Sequence, residues 1–341
     1  MTTTAHPGLI ESRPVVGAIR WDAWHGDHGS PGNAVQQALS PAKWHCRLPF
    51  FAKVTGTNSV TIDGTAQSVM DQEIAYAKLA GLDYWAFVTY ADDDPMSIGL
   101  KRYLSSRQRG DIKFCLLTEC SRWHEPKFVD RLVGLLSEPG YQEVAGGRPL
   151  IYLGFIDETK LPGGVAGLRR AVDSLRARVV AAGRKNPYLV IMDFVPADGQ
   201  KWVEALGADA LSSYATQGGG HGSYADLTGH AEEFWERCRA TGKLVVPIVM
   251  AGWDRRPRVE FPMFWEPNQK PGVGIEKFYE TPSPEQLAGH LDRTLQWSKT
   301  HAAPAVIIYA WNENDEGGWI VPTLSEGDAR LRAIRGVIHG R

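Results

Sequence analysis

Cysteine is scarce in this chain: four residues in 341, at Cys46, Cys115, Cys120 and Cys238. They form no CxxC pair and no ladder of regular spacings, which excludes a disulfide-stapled scaffold and fits a reducing cytoplasm. Charge of one sign is also lacking. The formal net charge is −2, so nothing marks nucleic acid or an anionic membrane as a partner. No apolar run approaches the length that crosses a bilayer. The opening MTTTAHPGLIESRP has neither the basic nor the apolar region of a signal peptide, and a cytoplasmic location is expected. QGGGHGS (217–223) has no lysine and is no phosphate loop, and no nucleophile elbow of the serine-hydrolase kind occurs.

What is present is a repeating pattern. Hydrophobic residues make up 43%, ample for a packed core, and eight short apolar runs recur. They are PVVGAIRWD (14–22), DYWAFVTY (83–90), IKFCLLTE (112–119), RPLIYLGF (148–155), PYLVIMDF (187–194), DALSSYA (209–215), KLVVPIVMAGW (243–253) and PAVIIYAWNE (304–313). Continuous rather than alternating apolar strands suit a parallel sheet covered on both faces. Between them lie helix signals. Val165, Leu168, Val172, Leu175 and Val179 form one stripe. Ser283-Pro284-Glu285-Gln286 reads as a capping box ahead of Leu287, Leu291 and Leu295. Asp94-Pro95 looks like another helix start, and Ser325 with Asp328 opens the last helix, striped by Leu331, Ile334 and Ile338.

Eight β-then-α units in order predict an α/β fold of the (β/α)₈ TIM-barrel kind, with residues 1–13 as an N-terminal tail and 14–341 as a single catalytic barrel. A doubly wound open sheet is the alternative, but IRWDAWHGDHG after the first strand is not GxGxxG. Helix-to-strand links are short. The two long connections, roughly 23–66 and 254–283, follow strands 1 and 7, on the face where barrel active sites lie.

Strand ends on that face carry Trp21, Asp22, Tyr90, Asp92, Glu119, Asp157, Asp193, Tyr214, Trp253 and Asp254. Any one acid there can be a helix cap or half of an ion pair, and Asp94 reads as such a cap. A whole ring of them needs charge pairing or a ligand. Twelve tryptophans add apolar faces with a polar edge, which complement a sugar ring. Trp85, Trp202, Trp235 and Trp297 read as core; Trp21, Trp24, Trp253, Trp265, Trp311 and Trp319 read as ligand contacts. His25 and His28, with Asp22 and His45 near them, are too loosely spaced for a zinc site. Asp92-x-Asp94 matches the metal-holding pattern of many glycosyltransferases, although three aspartates before a proline commonly begin a solvated helix.

Glu313 and Glu316 follow the eighth run in WNENDEGGWI (311–320). If residues 313–316 turn helically, their Cβ atoms stand ~5–6 Å apart on one side. Glycoside cleavage needs one carboxyl group protonated and one ionised at the same pH, and neighbouring acids beside indoles separate in pKa. Gly317 and Gly318 would turn the backbone away and admit a substrate.

YAWNENDEGGWIVPT resembles the Trp-Asn-Glu signature of glycoside hydrolase family 99 and its WbsX-type relatives, VMAGWDRRPR (249–258) resembles a second stretch of the latter, and GLDYWAFVTY (81–90) a third. The resemblance extends from near residue 15 to near 323. It implies a barrel that cleaves α-mannosidic bonds within a chain, with retention and without metal or organic cofactor. Glu313 would be the base that deprotonates the sugar's own 2-hydroxyl, giving a 1,2-anhydro sugar. Glu316 would protonate the leaving oxygen and then activate water. The substrate-binding set expected around them is Trp21, Asp22, Tyr90, Asp92, Glu119, Asp193, Tyr214, Trp253, Asp254, Trp265, Asn312 and Trp319, with an oligo- or polysaccharide as partner. Asn314 replaces the family's tryptophan and Asp315 adds an acid, so the glycan need not be a mannan. Two other readings are a metal-dependent glycosyltransferase of polysaccharide biosynthesis and a carbohydrate-binding barrel without catalysis.

Overall fold

The computed structural model describes residues 13–26, 31–266 and 268–340. The expected tail, save Arg13, and His28 lie outside them. The eight apolar runs all become parallel strands. They are β1 (Val15–Arg20), β2 (Tyr84–Thr89), β3 (Lys113–Glu119), β4 (Arg148–Gly154), β5 (Tyr188–Met192), β6 (Ala210–Ser212), β7 and β8 (Ala305–Tyr309). Strand β7 comes in two pieces, Leu244–Val245 and Ile248–Met250. The first piece pairs with β6 and the second with β8, and β8 pairs with β1. Consecutive strands pair from β1 to β6. The ring therefore closes through β7, which changes partner at Val246-Pro247. There the Val246 amide donates to Leu211 at 2.8 Å and the Pro247 carbonyl accepts from Ile307 at 3.1 Å. Proline has no N–H to give a ladder, so this is where a strand can be interrupted at least cost.

Each strand is followed by a helix of the outer shell: α1 (Gln67–Ala80), α2 (Ile98–Ser105), α3 (Pro126–Leu136), α4 (Gly164–Ala181), α5 (Pro196–Leu206), α6 (Tyr224–Ala240), α7 (Pro284–Thr300) and α8 (Ala329–Ile338). The α4 stripe buries Leu168, Val172, Leu175 and Val179. Inside the ring, the Tyr84 and Tyr152 hydroxyls meet at 2.7 Å. A Cβ on Gly17 would overlap the Tyr84 ring, so only glycine fits there.

The Ser283 capping box forms as expected, its hydroxyl accepting from the Gln286 amide and the Gln286 side chain accepting from the Ser283 amide. Replacing Ser283 with alanine leaves the Gln286 amide without that acceptor, and thermal or urea unfolding should register a loss of about 1 kcal/mol. The last helix differs from expectation. It begins at Ala329, because the Ser325 hydroxyl donates to the Cys46 carbonyl at 2.7 Å and is spent on holding a loop. Asp94 caps a single 3-10 turn, accepting from the Met96 amide at 2.9 Å.

The two long connections are built rather than structureless. The first carries a helix (Gly32–Leu39), a 3-10 turn (Ala42–Arg47) and a hairpin (Lys53–Gly56 with Ser59–Thr61); the second carries a short helix (Arg256–Glu260). They share a small core in which Val35, Leu39, Trp44 and Leu48 pack with Met263. Ion pairs Arg47–Asp254 and Lys43–Glu260 tie them together. Both stand over the C-terminal ends of the strands and wall one cavity.

Candidate active site

Beyond β8 the chain folds back on itself. Asn312–Glu313 pairs antiparallel with Gly318–Trp319, and Asn314–Glu316 is one 3-10 turn between them. The helical turn expected over 313–316 is thus a tighter one, with both glutamates at the floor of a cavity of about 810 Å³. Gly317 and Gly318 do not open the way for substrate. Side chains there would strike the Asp254 backbone and the Tyr309 ring, so the glycines serve close internal packing.

Both glutamates are nearly inaccessible, 3% for Glu313 and 7% for Glu316, yet they are held differently. The Arg258 guanidinium, itself 5% exposed, reaches all three acids of the turn and lies 3.5 Å from a fourth, Glu266. Its Nε donates to Asp315 Oδ2 at 2.7 Å, its Nη2 to Glu313 Oε2 at 3.3 Å, and its Nη1 to Glu316 Oε1. Arg255 Nε lies 3.0 Å from the same Glu316 oxygen, and its Nη2 pairs with Glu266. The Tyr309 hydroxyl donates to Glu316 Oε2. Glu313 Oε1 accepts from the Tyr214 hydroxyl at 2.6 Å.

These partners divide the pair. Burial pushes the Glu313 carboxyl up to about 8, helped by the negative charge of Glu316 and only partly opposed by Arg258. Burial acts on Glu316 in the same sense, but Arg258, Arg255 and the Tyr309 hydroxyl outweigh it and hold that carboxyl below its usual range. Two arginines reach Glu316 and one arginine nitrogen reaches Glu313. The two environments thus push the carboxyl groups in opposite directions, Glu313 towards its protonated form and Glu316 towards its ionised one.

Of the expected set, Trp21, Tyr90, Glu119, Tyr214, Trp253 and Trp265 line the cavity with the two glutamates. Trp21 Nε1 donates to the Tyr90 hydroxyl at 2.7 Å, fixing both rings, and Trp265 meets Trp21 edge-on at 6.0 Å.

The other six stand elsewhere. Asp22 is buried against Arg20 beside Glu73 and Trp311, where burial raises its carboxyl to about 6. Asp92 faces solvent, with Lys101 and Arg131 at 3.7 and 3.6 Å. Asp193 accepts from the Val195 amide at 2.8 Å and so caps the turn into α5. Asp254 is held by Arg47 and Arg256. Asn312 exchanges two hydrogen bonds with the Trp21 backbone, at 2.9 and 2.8 Å. Trp319 is buried under Arg330, whose guanidinium lies 4.0 Å from the ring. Trp24 and Trp311 are core residues as well. Each was placed by proximity to a strand end, which does not say which way a side chain points.

Asp92 and Asp94 do not converge, since Asp94 lines the cavity while Asp92 turns to the surface cations. Among the described residues no three His, Cys, Asp or Glu side chains are grouped to hold a metal ion. Sequence reasoning missed Arg255, Arg258 and Glu266, and also Phe155, Phe194 and Phe264, which line the cavity too. The arginines lie within WDRRPR, in the loop after β7, and an excess of acids after β8 was the available signal that cations must face them.

No family model matches the chain, and no curated protein matches it in sequence. Solved structures do. The fold is similar to that of the family 99 endo-α-mannosidase from Bacteroides thetaiotaomicron in complex with Bis-Tris-propane, with TM-score 0.64 and 13% identity, covering 95% of this chain and 96% of that one. A second structure of the Bacteroides thetaiotaomicron family 99 endo-α-mannosidase gives TM-score 0.58 at 14% identity, with coverage of 95% and 96%. At such identity the likeness establishes the barrel architecture over nearly the whole chain. No helix among the described residues is long and apolar enough to cross a membrane.

Proposed function

We propose that this chain is a glycoside hydrolase cleaving an α-linked glycan, with Glu313 and Glu316 as its reacting pair. The observation that carries this reading is a pair of adjacent buried carboxyl groups with unequal partners, Glu316 facing two arginines and Glu313 a single arginine nitrogen, which favours one protonated and one ionised group on the floor of a cavity walled by indoles and phenols. That is the charge state glycosidic cleavage requires. The fold likeness to endo-α-mannosidases is in keeping with it.

In the proposed course a 2-hydroxyl trans to the leaving group, as in an α-mannoside or α-rhamnoside, loses its proton to a carboxylate and attacks the anomeric carbon, while the other carboxyl group protonates the leaving oxygen. Water then opens the 1,2-anhydro sugar with retention. The resemblance in sequence implies Glu313 as base and Glu316 as acid. The ion pairs favour the exchange of these roles: Glu313 holds the proton to be given, and Glu316 enters as the carboxylate.

One observation favours a second reading, a carbohydrate-binding barrel without catalysis. Both Glu316 oxygens already have partners, in Arg258 and Arg255 on one side and Tyr309 on the other. A single experiment separates the two. Reducing-end release is followed from α-linked mannans, rhamnans and glucans without added metal, for wild type and for Glu316→Ala. Release by the wild type that disappears in the variant is the expected result. Binding of a glycan by both proteins with release by neither would replace the hydrolase with the binding barrel.

A further inference from the structure

The mouth of the cavity is not uniform. Proceeding round it, the residues that follow β4 and β5 are Phe155 and Phe194, both lining the cavity and exposed by 48% and 53%. Large apolar side chains left this open inside a concave site mark a place for a ligand. Phe155 is also held at φ 54°, in the left-handed region that bulky residues rarely enter. Strain of this kind is kept where it positions a group for use. The Phe155 ring packs against Tyr214 with centroids 5.1 Å apart, and the Tyr214 hydroxyl is the one that holds Glu313. Phe155 is thus linked to the proposed proton donor through Tyr214.

A sugar ring could lie on such a patch only if its hydroxyls found partners, and the acids of this quarter are already engaged. Asp157 accepts from the Thr159 amide and hydroxyl at 3.1 and 2.6 Å, with Lys160 at 3.1 Å. Asp193 is turned to the Val195 amide, and Val195 itself is half exposed. Phenyl rings carry no polar edge of their own, in contrast to the indole and phenol side chains on the β1 and β2 side of the cavity.

Resting on the glycosidase reading above, we propose that Phe155 and Phe194 form a subsite for an apolar aglycone, an alkyl or aryl group joined through the glycosidic oxygen. The natural substrate class is then an α-glycoside of an apolar alcohol, and the polar side of the cavity holds the sugar.

Calorimetric titration tests this with methyl and octyl α-D-mannopyranosides, the corresponding glucopyranosides, and an α-linked disaccharide of each sugar. The wild type should bind an octyl glycoside at least about tenfold more tightly than its methyl partner, as burial of several methylenes on an aromatic surface gives. The octyl-to-methyl ratio should fall toward unity in Phe155→Asn with Phe194→Ser. Asparagine tolerates the left-handed backbone, and Phe194 is exposed, so the double variant should fold. A ratio near unity in the wild type, a ratio unchanged in the variant, a disaccharide bound more tightly than the octyl glycoside, or no binding of either octyl glycoside at millimolar concentration would each overturn the proposal. Because the readout is binding, it stands or falls separately from cleavage.

Discussion

Arg258→Leu is expected to destabilise the fold at neutral pH by about 3–5 kcal/mol, the cost of leaving buried charge unpaired. Among the described residues Arg258 is the one cation that touches Asp315, Glu313 and Glu316 together. Asp315 is 1% exposed and Glu316 is 7% exposed, so water cannot take over its part. Without the guanidinium, burial would act on Glu313 and Glu316 with less opposition and raise their folded-state pKa values. Protons would then be bound preferentially by the folded state, and the stability this supplies is present below the ordinary carboxylate range and lost as pH rises. The deficit against wild type should therefore be small near pH 4 and grow towards neutrality. Arg258→Lys keeps the charge but offers no planar fork to reach three acids, and should fall between the two. Urea unfolding at several pH values checks this. A leucine variant as stable as wild type at pH 7 would mean that the acids are hydrated and the cluster does not exist as described.

Glu313→Gln should abolish most activity and stabilise the protein. Loss of a positioned proton donor lowers the rate by about 10²–10⁴-fold. The stability effect follows from the Glu313 carboxyl, raised from 4.5 to about 8 by burial and by Glu316. Between those values the folded protein keeps a proton that the unfolded chain releases. Wild-type stability thus declines as pH rises through that window, up to the folded value near 8. Glutamine has the same shape and cannot ionise, so the variant escapes that decline. Its melting temperature should match wild type near pH 4.5 and exceed it increasingly towards pH 8 to 9. The same proton sets the alkaline limb of the wild-type pH–rate profile, with activity falling above about 8. Parallel stability–pH curves for the two proteins would show that Glu313 is already ionised at neutrality, and the proposed roles would have to be exchanged again.

Much of this protein can be read from local pattern. Strand and helix periodicities are properties of consecutive residues, so all eight β/α units were legible, as was the Ser283 capping box. The positions of the two long connections followed from counting residues between strands. The spacing of Glu313 and Glu316 was legible for the same reason, since three residues beyond an apolar strand need no knowledge of distant groups. Direction was not legible. Trp21 and Asp22 are neighbours, but successive side chains point to opposite faces. Trp21 enters the cavity while Asp22 turns to Arg20. Trp319 and Trp265 differ in the same way, one buried under Arg330 and the other at the cavity wall.

The amino-acid order alone marked the eight β/α units, their caps and the spacing of the acid pair, because each is a pattern of residues close in the chain, whereas closure of the ring sets Val15 opposite Ala305. Which partners each acid meets was decided by tertiary structure. Arg258 lies 57 residues from Asp315 and 58 from Glu316, and the Tyr214 hydroxyl comes to Glu313 from 99 residues away. Desolvation and charge act through space, so folding had to gather these groups before any difference between the two glutamates existed. The phenyl patch has the same origin, since Phe155 and Phe194 come to line one cavity only when β4 and β5 lie side by side.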